Sequence, residues 1–245
     1  MTRYRAAAHV HSEWSDDASW SLPDLAEAFG RRGYDVVLLC EHSRGFAASD
    51  WDAYLAACAK AGTDRVLLVP GIEYNDDDNV VHVPVWGDVP FFGRTPDIGE
   101  LLAKASAEDG VSVLAHPWRK EAWRRYDPSW TAHLTAVEIW NRKYDGIAPD
   151  RRAAELARRE GLREFVSLDF HTGRQFFPLA MALDVPDGVA LDRAAVHGAL
   201  RDGRFEALAF SRSALRLLHG PAARAMAVAE QARRGAARAL RRVRG

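Results

Sequence analysis

Six of the nine histidines in this sequence stand on or just past short apolar runs, each in the company of carboxylates. His9 and His11 flank Val10 at the end of the run 5–10, and Asp16 follows five residues after His11. On an extended segment such a pair points to one face, because side chains alternate with period two. Glu41 and His42 follow the run 35–40, Gly71-Ile72-Glu73 follows 65–69, and His82 lies on 80–86. His116-Pro117 follows 111–115, Glu138 lies on 136–140, and Asp169 and His171 follow 164–168. Singly, each has an ordinary explanation: a surface strand, a hydrogen-bonded core histidine at His82, a turn at His116, or a buried acid paired with an arginine at Glu138. Together they form a donor set too large for a single zinc, which takes four protein ligands at most. Nitrogen and oxygen donors without thiolate suit Zn, Mn or Fe, and imply two or three divalent ions close together. His133, His197 and His219 fall in helical or loop context and receive no role.

The elements that must position these groups alternate. Strands are expected over the runs above and over 179–183 and 205–210. Helices are expected from Ser21 (its cap) until Gly33 stops the chain, over 49–61, from Thr95-Pro96 to about Asp109, over 149–160 ended by Gly161, and from Asp192 to about Leu200. Continuous apolar runs such as 35–40 are the mark of strands buried on both faces, which belong to parallel sheets. Strand–helix alternation predicts one parallel α/β domain over residues 1–220, closing into a barrel if seven or so units meet. In such folds sites form at the carboxyl ends of the strands, where these residues fall.

Residues 221–245 differ. They carry seven Arg and one Glu, a net charge of +6 against −7 for the rest, and read as one basic Ala/Arg-rich helix. Its apolar stripe is expected at Ala225, Val228, Ala229, Ala232, Ala236, Ala239, Leu240 and Val243, to pack weakly on the barrel or to reach a partner, an anionic surface or nucleic acid. No aromatic interleaves with its arginines, so base stacking is not indicated. The two cysteines make a disulfide framework improbable and suit a reducing compartment. The start Met-Thr-Arg-Tyr-Arg is not that of a signal peptide, and no apolar run reaches the roughly 18 residues of a membrane span. The expectation is a cytoplasmic protein.

These motifs resemble those of the PHP (polymerase and histidinol phosphatase) domain family of metal-dependent phosphoesterases. The family pattern H-x-H-[ST]-x-x-S-D-G is matched from His9 to Asp16, with Asp17 in place of the glycine. T-D-H is met by Cys40-Glu41-His42, G-x-E by Gly71-Ile72-Glu73, A-H-P by Ala115-His116-Pro117, and S-D-x-H by Ser167-Leu168-Asp169-Phe170-His171 with one residue inserted. The resemblance spans about residues 6–172 in family order. It implies a distorted (β/α)7 barrel with a trinuclear site. One metal would take His9, His11, Glu73 and Asp169; a second would share Glu73 and add His116 and His82; the third would take Asp16, His42 and His171. His171, His42 and Asp16 would then serve catalysis. The implied reaction is hydrolysis of a phosphate ester, of a small phosphorylated molecule or a nucleotide.

Arg44, Arg119, Arg142 and Arg174, with Lys120 and Lys143, follow the motifs closely and are candidates to hold a second anionic group, since guanidinium binds phosphate bidentately. Trp86, Trp118, Trp123 and Trp140 with Phe91 and Phe92 could make an apolar wall, or serve as core or lid. Two alternatives remain in view. A C–N-cleaving amidohydrolase would use a similar barrel, often with a metal-bridging lysine, and no strand-end lysine is expected here. A non-catalytic metal-binding scaffold would have lost ligands, and none of the central ones is missing. Sequence leaves the oligomeric state open.

Overall fold

The computed structural model describes residues 1–244, with side chains up to residue 239. The chain runs β1 (Thr2–Val10), α1 (Leu22–Gly30), β2 (Val36–Leu39), β3 (Glu41–His42), α2 (Trp51–Ala61), β4 (Leu67–Val69), β5 (Gly71–Asn75), β6 (His82–Trp86), α3 (Ile98–Ala107), β7 (Val111–Leu114) and β8 (Ala136–Asn141). It continues with α4 (Arg151–Glu160), β9 (Arg163–Ser167), β10 (Leu179–Val185), α5 (Arg193–Arg201), β11 (Phe205–Ala209), β12 (Arg212–Ser213) and α6 (Gly220–Arg244). Short 3-10 turns fill several connections.

The strands form two six-stranded sheets, ordered β12-β11-β10-β1-β2-β4 and β3-β5-β6-β7-β8-β9. The all-parallel expectation needs correction. β1 pairs with β2 in parallel but with β10 antiparallel, and β5-β6-β7 are antiparallel neighbours. β5 and β6 are joined by a turn too short for the helical crossover a parallel pair requires. The ladders do not close into one continuous barrel. One seam is bridged past the end of β9, where the Leu168 N–H donates to the Ala8 carbonyl and the Phe170 N–H to that of His9.

Packing explains the arrangement. Val36 to Leu39 are all fully buried, as the continuous apolar run requires. Gly71 has no room for a Cβ: one would overlap Trp86 and the Leu39 carbonyl, to which the Trp86 indole N–H donates at 2.7 Å. The glycine before Glu73 is thus demanded by an indole that ties the two sheets together. Caps follow the sequence with one exception. Ser21, Asp150 and Asp192 accept from the first turns of α1, α4 and α5, and Gly161 is left-handed at φ +67°. α3 is capped by Asp97, not by Thr95-Pro96, because its carboxylate accepts the Glu100 N–H.

The basic helix forms, but its inward face is not the expected one. Ala225, Val228 and Ala229 are exposed, while Ala223 and Glu230 are buried and Met226 is half-buried. A carboxylate that accepts the Ile147 N–H outweighs the weak pull of alanine methyls. The side chains of Leu240 and Val243, and residue 245, lie outside the described residues. No described helix is long and apolar enough to cross a membrane.

His197, on α5, lines a cavity of about 570 Å³ with Cys58, Asp88 and Arg193. Burial, then Arg193 and Arg201, pushes its pKa down to about 4 against the raising influence of Asp88 and Asp192. The unfolded chain therefore takes up a proton that the folded chain refuses between about pH 4 and 6.5, so this stabilisation is complete above pH 6.5 and fades as pH falls. Urea midpoints at pH 7.5 and 5 should show His197→Gln losing about 1–2 kcal/mol less than the wild type over that interval.

Candidate metal centre

Glu73, on β5 and 1 % exposed, is the hub of the site. Its Oε1 lies 2.8 Å from His82 Nδ1, 3.1 Å from His9 Nε2 and 3.3 Å from His116 Nε2. Its Oε2 lies 2.9 Å from His42 Nδ1 and 3.9 Å from His11 Nε2. Asp169 faces the same space, 3.7 Å from both His11 Nε2 and His116 Nε2 and 3.3 Å from His171 Nδ1. Every sequence-nominated histidine is here. The three without a role (His133, His197 and His219) make no contact with this cluster in these bonds.

Simple alternation does not bring His9 and His11 together. β1 and β2 shift register between Ala8 and Val10, and His9 has φ +59°. This bulge lets both rings converge, 5.1 Å apart. His116 (φ +28°) and Asp169 (φ +47°) are also left-handed. Such backbone costs on the order of 1–3 kcal/mol per residue and persists where surroundings enforce it. Three residues facing one carboxylate share it.

An outer layer fixes the rings. Glu138, fully buried, accepts from His9 Nδ1 at 2.8 Å, from the His116 N–H at 2.9 Å and from Asn141 Nδ2 at 2.9 Å. Its expected arginine partner is replaced by these, which aim His9 Nε2 inward. Glu41 accepts from the Ser12 N–H, the Ser12 hydroxyl and the Ser15 hydroxyl. Ser15 Oγ in turn sits 3.2 Å from His11 Nδ1 and accepts the His42 N–H at 3.1 Å. Glu41 therefore orients His42 and His11 through a serine.

At the rim, Asp17 joins His42 Nε2 (3.2 Å) and His171 Nε2 (3.1 Å). Asp16 is exposed and comes within 4.8 Å of His42 and Asp17 ligand atoms, without a hydrogen bond to either. Asp17, the residue standing in for the motif's glycine, makes the direct contacts.

Among the basic candidates Arg119 and Lys143 reach the cluster; Arg119 has Nη1 3.0 Å from His82 Nε2 and Nε donating to the Tyr144 hydroxyl at 3.0 Å. Lys120 donates to the Asn79 carbonyl. Arg44 bonds the Asp76 and Asp77 carbonyls, Arg142 lies over Phe177, and Arg174 is exposed. A cation passed over as a bridging lysine is present: Lys143 Nζ is 3.2 Å from Asp169 Oδ1 and 3.0 Å from His171 Nε2. It stands two residues beyond β8, where Asn141 accepts the Lys143 and Tyr144 N–H groups and turns the chain inward. The run Asn141-Arg142-Lys143-Tyr144 after an acid-bearing strand was the available signal. Trp86 and Trp140 are core residues, while Trp118 and Trp123 stack on each other with Trp123 partly exposed.

The pocket calls for positive charge. Burial would push His9 down, but Glu73, Asp169 and Glu138 hold it well above its usual range. Burial would raise Glu73, and the surrounding imidazoles hold it well below instead. Burial together with His42, His171 and His9 drives His11 well below the usual range, so its ring is neutral. His9 Nε2, His11 Nε2 and His116 Nδ1 are buried without a hydrogen-bond partner. A divalent cation binds imidazole nitrogens that have given up their protons and stand beside carboxylates, and it would take the place of the protons now drawn into this cluster. Four groupings place ligand atoms within 4.8 Å of one another: His9, Glu73 and His116; His9, His11 and Asp169; His11, His42 and His171; and, at the exposed rim, Asp16, Asp17 and His42.

No family model and no curated protein matches this sequence. Solved structures do. PsfC from Pseudomonas syringae PB-5123 aligns at TM-score 0.63 and 16 % identity over 95 % of this chain and 99 % of its own. The likeness is one of fold. The lesion-specific endonuclease PfuEndoQ from Pyrococcus furiosus aligns at TM-score 0.57 and 15 % identity, over 80 % of this chain and 56 % of that one. An amidohydrolase from Chromobacterium violaceum aligns at TM-score 0.52 and 14 % identity, over 82 % and 97 %.

Two substitutions separate the inner and outer parts of the cluster. After Mn loading and desalting, Glu73→Gln should retain markedly less metal than the wild type by elemental analysis. Asp17→Asn should weaken the most loosely held ion by about 10-fold or more, with Asp16→Asn affecting it less. Equal retention by Glu73→Gln and wild type would contradict the hub assignment.

Proposed function

We propose that this protein is a metal-dependent hydrolase of a phosphate ester, built on a distorted barrel of the PHP type and working in a reducing, cytoplasmic setting. The observation that carries the reading is the pairing of the Glu73-centred donor cluster with two cationic side chains, Arg119 and Lys143, at its edge. Carboxylates and imidazoles suit the metals, Mn, Zn or Fe; the two cations suit an anionic substrate. The full set of central ligands argues against a scaffold role, and the two buried free cysteines fit the proposed compartment.

When bound, two or three divalent ions would acidify a water and offset charge on a phosphoryl group. The chain's own residues do the rest. Glu73 sits between His9, His82 and His116 on one oxygen and His42 on the other, so its two oxygens can serve two cations. Arg119 and Lys143 bind non-bridging oxygens and set the ester's orientation. Asp17, tied to both His42 and His171, would steady these two rings at the rim where the ester enters. A small phosphomonoester and a nucleotide both match this edge. Nucleic acid contact by α6 has no aromatic support.

A second reading, cleavage of a C–N bond, has one observation in its favour: Lys143 beside Asp169 and His171, in a chain whose fold is similar to that of an amidohydrolase. Phosphate release from a panel of phosphomonoesters and short oligonucleotides, after Mn loading, decides between them. The expected result is release that His116→Ala lowers by about 100-fold or more. Retained metal with no release from any ester, and turnover of amide or cyclic-amide substrates, would favour the second reading.

A further inference from the structure

The C-terminal helix α6 is bound to the loop that carries Lys143. Glu230 is 6 % exposed, although it lies on the most basic stretch of the chain. Its Oε2 accepts the Ile147 N–H at 3.1 Å, and the guanidinium groups of Arg233 and Arg234 close on the same carboxylate. Arg234 also donates to the carbonyls of Tyr144 (2.9 Å) and Asp145 (3.2 Å). Gly146, between them, is left-handed at φ +77°, and a Cβ there would overlap the Glu230 carboxylate. Four consecutive residues, 144–147, are therefore fitted to one carboxylate and its arginine.

The other side of this loop faces the metal centre. Asn141 Nδ2 donates to Glu138 and to Asp169, Lys143 reaches Asp169 and His171, and the Tyr144 ring lies 4.7 Å from that of His116 while its hydroxyl accepts from Arg119. Both proposed anion-binding cations are thus steadied by one short segment: Lys143 belongs to it, and Arg119 leans on it. Without α6, the carbonyls of Tyr144 and Asp145 and the Ile147 N–H would lose their partners, and the outer side of the segment would rest on Asn141, Asp145 and the Trp140 indole, which donates to the Gly146 carbonyl at 3.2 Å.

We infer that Glu230 is a positioning residue: through Ile147, Gly146 and Arg234 it sets the 143–147 segment so that Lys143 and Arg119 hold an anionic substrate group beside the metal ligands. The identity of that group rests on the phosphoester reading; the clamp does not. Basic charge on α6 is then partly internal, since Arg233 and Arg234 are used to keep one carboxylate ionised and in place. A displacement of even about 1 Å at such a segment is enough to lower activity by up to about 100-fold.

The test is a double-substitution cycle on the full-length, Mn-loaded protein, with inorganic phosphate as the calorimetric probe. Glu230→Ala and Lys143→Ala should each weaken phosphate binding by about tenfold, and the double variant should fall well short of the product of the two losses, keeping only the part that acts through Arg119. Mn content should be unchanged in Glu230→Ala, and amide exchange at residues 144–147 should quicken. Arg234→Ala, which spares the carboxylate, should act in the same direction more weakly. Additive losses in the double variant, or unchanged exchange and phosphate affinity in Glu230→Ala, overturn the inference. A wild type that holds Mn but neither binds phosphate nor cleaves any ester overturns the phosphoester reading only; amide exchange then decides the clamp by itself.

Discussion

A carboxylate buried among imidazoles is the constraint on which the rest of this structure depends. Glu73 has given up its water and is surrounded by His9, His42, His82 and His116, with His11 at the edge of contact. An ionised carboxylate in such a place is tolerable only if positive charge stands beside it. Protons on the imidazoles can supply some of that charge, and Glu73, Asp169 and Glu138 push the His9 pKa up against its burial. They cannot supply all of it: burial first, and then the neighbouring rings of His42, His171 and His9, push His11 down. Divalent cations meet the demand, and release protons as they bind.

The surrounding fold is arranged to make the demand specific. Left-handed backbone at His9, His116 and Asp169 stores strain that is balanced by bonds from neighbouring elements. Glu138 binds two of those three residues at once, one by its ring and one by its backbone. Glu41 does the corresponding work for the opposite side through Ser12 and Ser15. Buried acids that reach no substrate thus set the aim of the donors that do. Gly71 serves the same end from below, since only its bare backbone lets Trp86 cross to Leu39 and fix the strand that presents Glu73.

Much of this was readable in the sequence, for a physical reason. Buried strands write themselves as unbroken apolar runs, so a histidine or carboxylate at the end of one stands out, and all six such histidines meet in space. What could not be read was direction and pairing. Alternation explained His9 and His11 by a flat strand, whereas a bulge brings them together. Runs of equal apolarity hide whether neighbours are parallel, and β6 and β10 carry no sequence mark of their antiparallel pairing. Lys143 is legible as an anion-binding candidate but not as a neighbour of Asp169 and His171, and Asp17 only as a departure from the motif glycine, because the placement of each arises from a turn. On α6, apolar periodicity pointed to alanines, while a buried ion pair network chose another face.

The central claim is that Glu73 lies between bound cations. Anomalous diffraction from crystals of the Mn-loaded protein, recorded at the manganese edge, tests it most directly. The account predicts at least two peaks flanking the Glu73 carboxylate, one beside His9, His11 and Asp169 and another beside His116 and His82. A single peak elsewhere, or a Glu73 side chain that remains hydrogen-bonded to the imidazoles with Mn in excess, would contradict it.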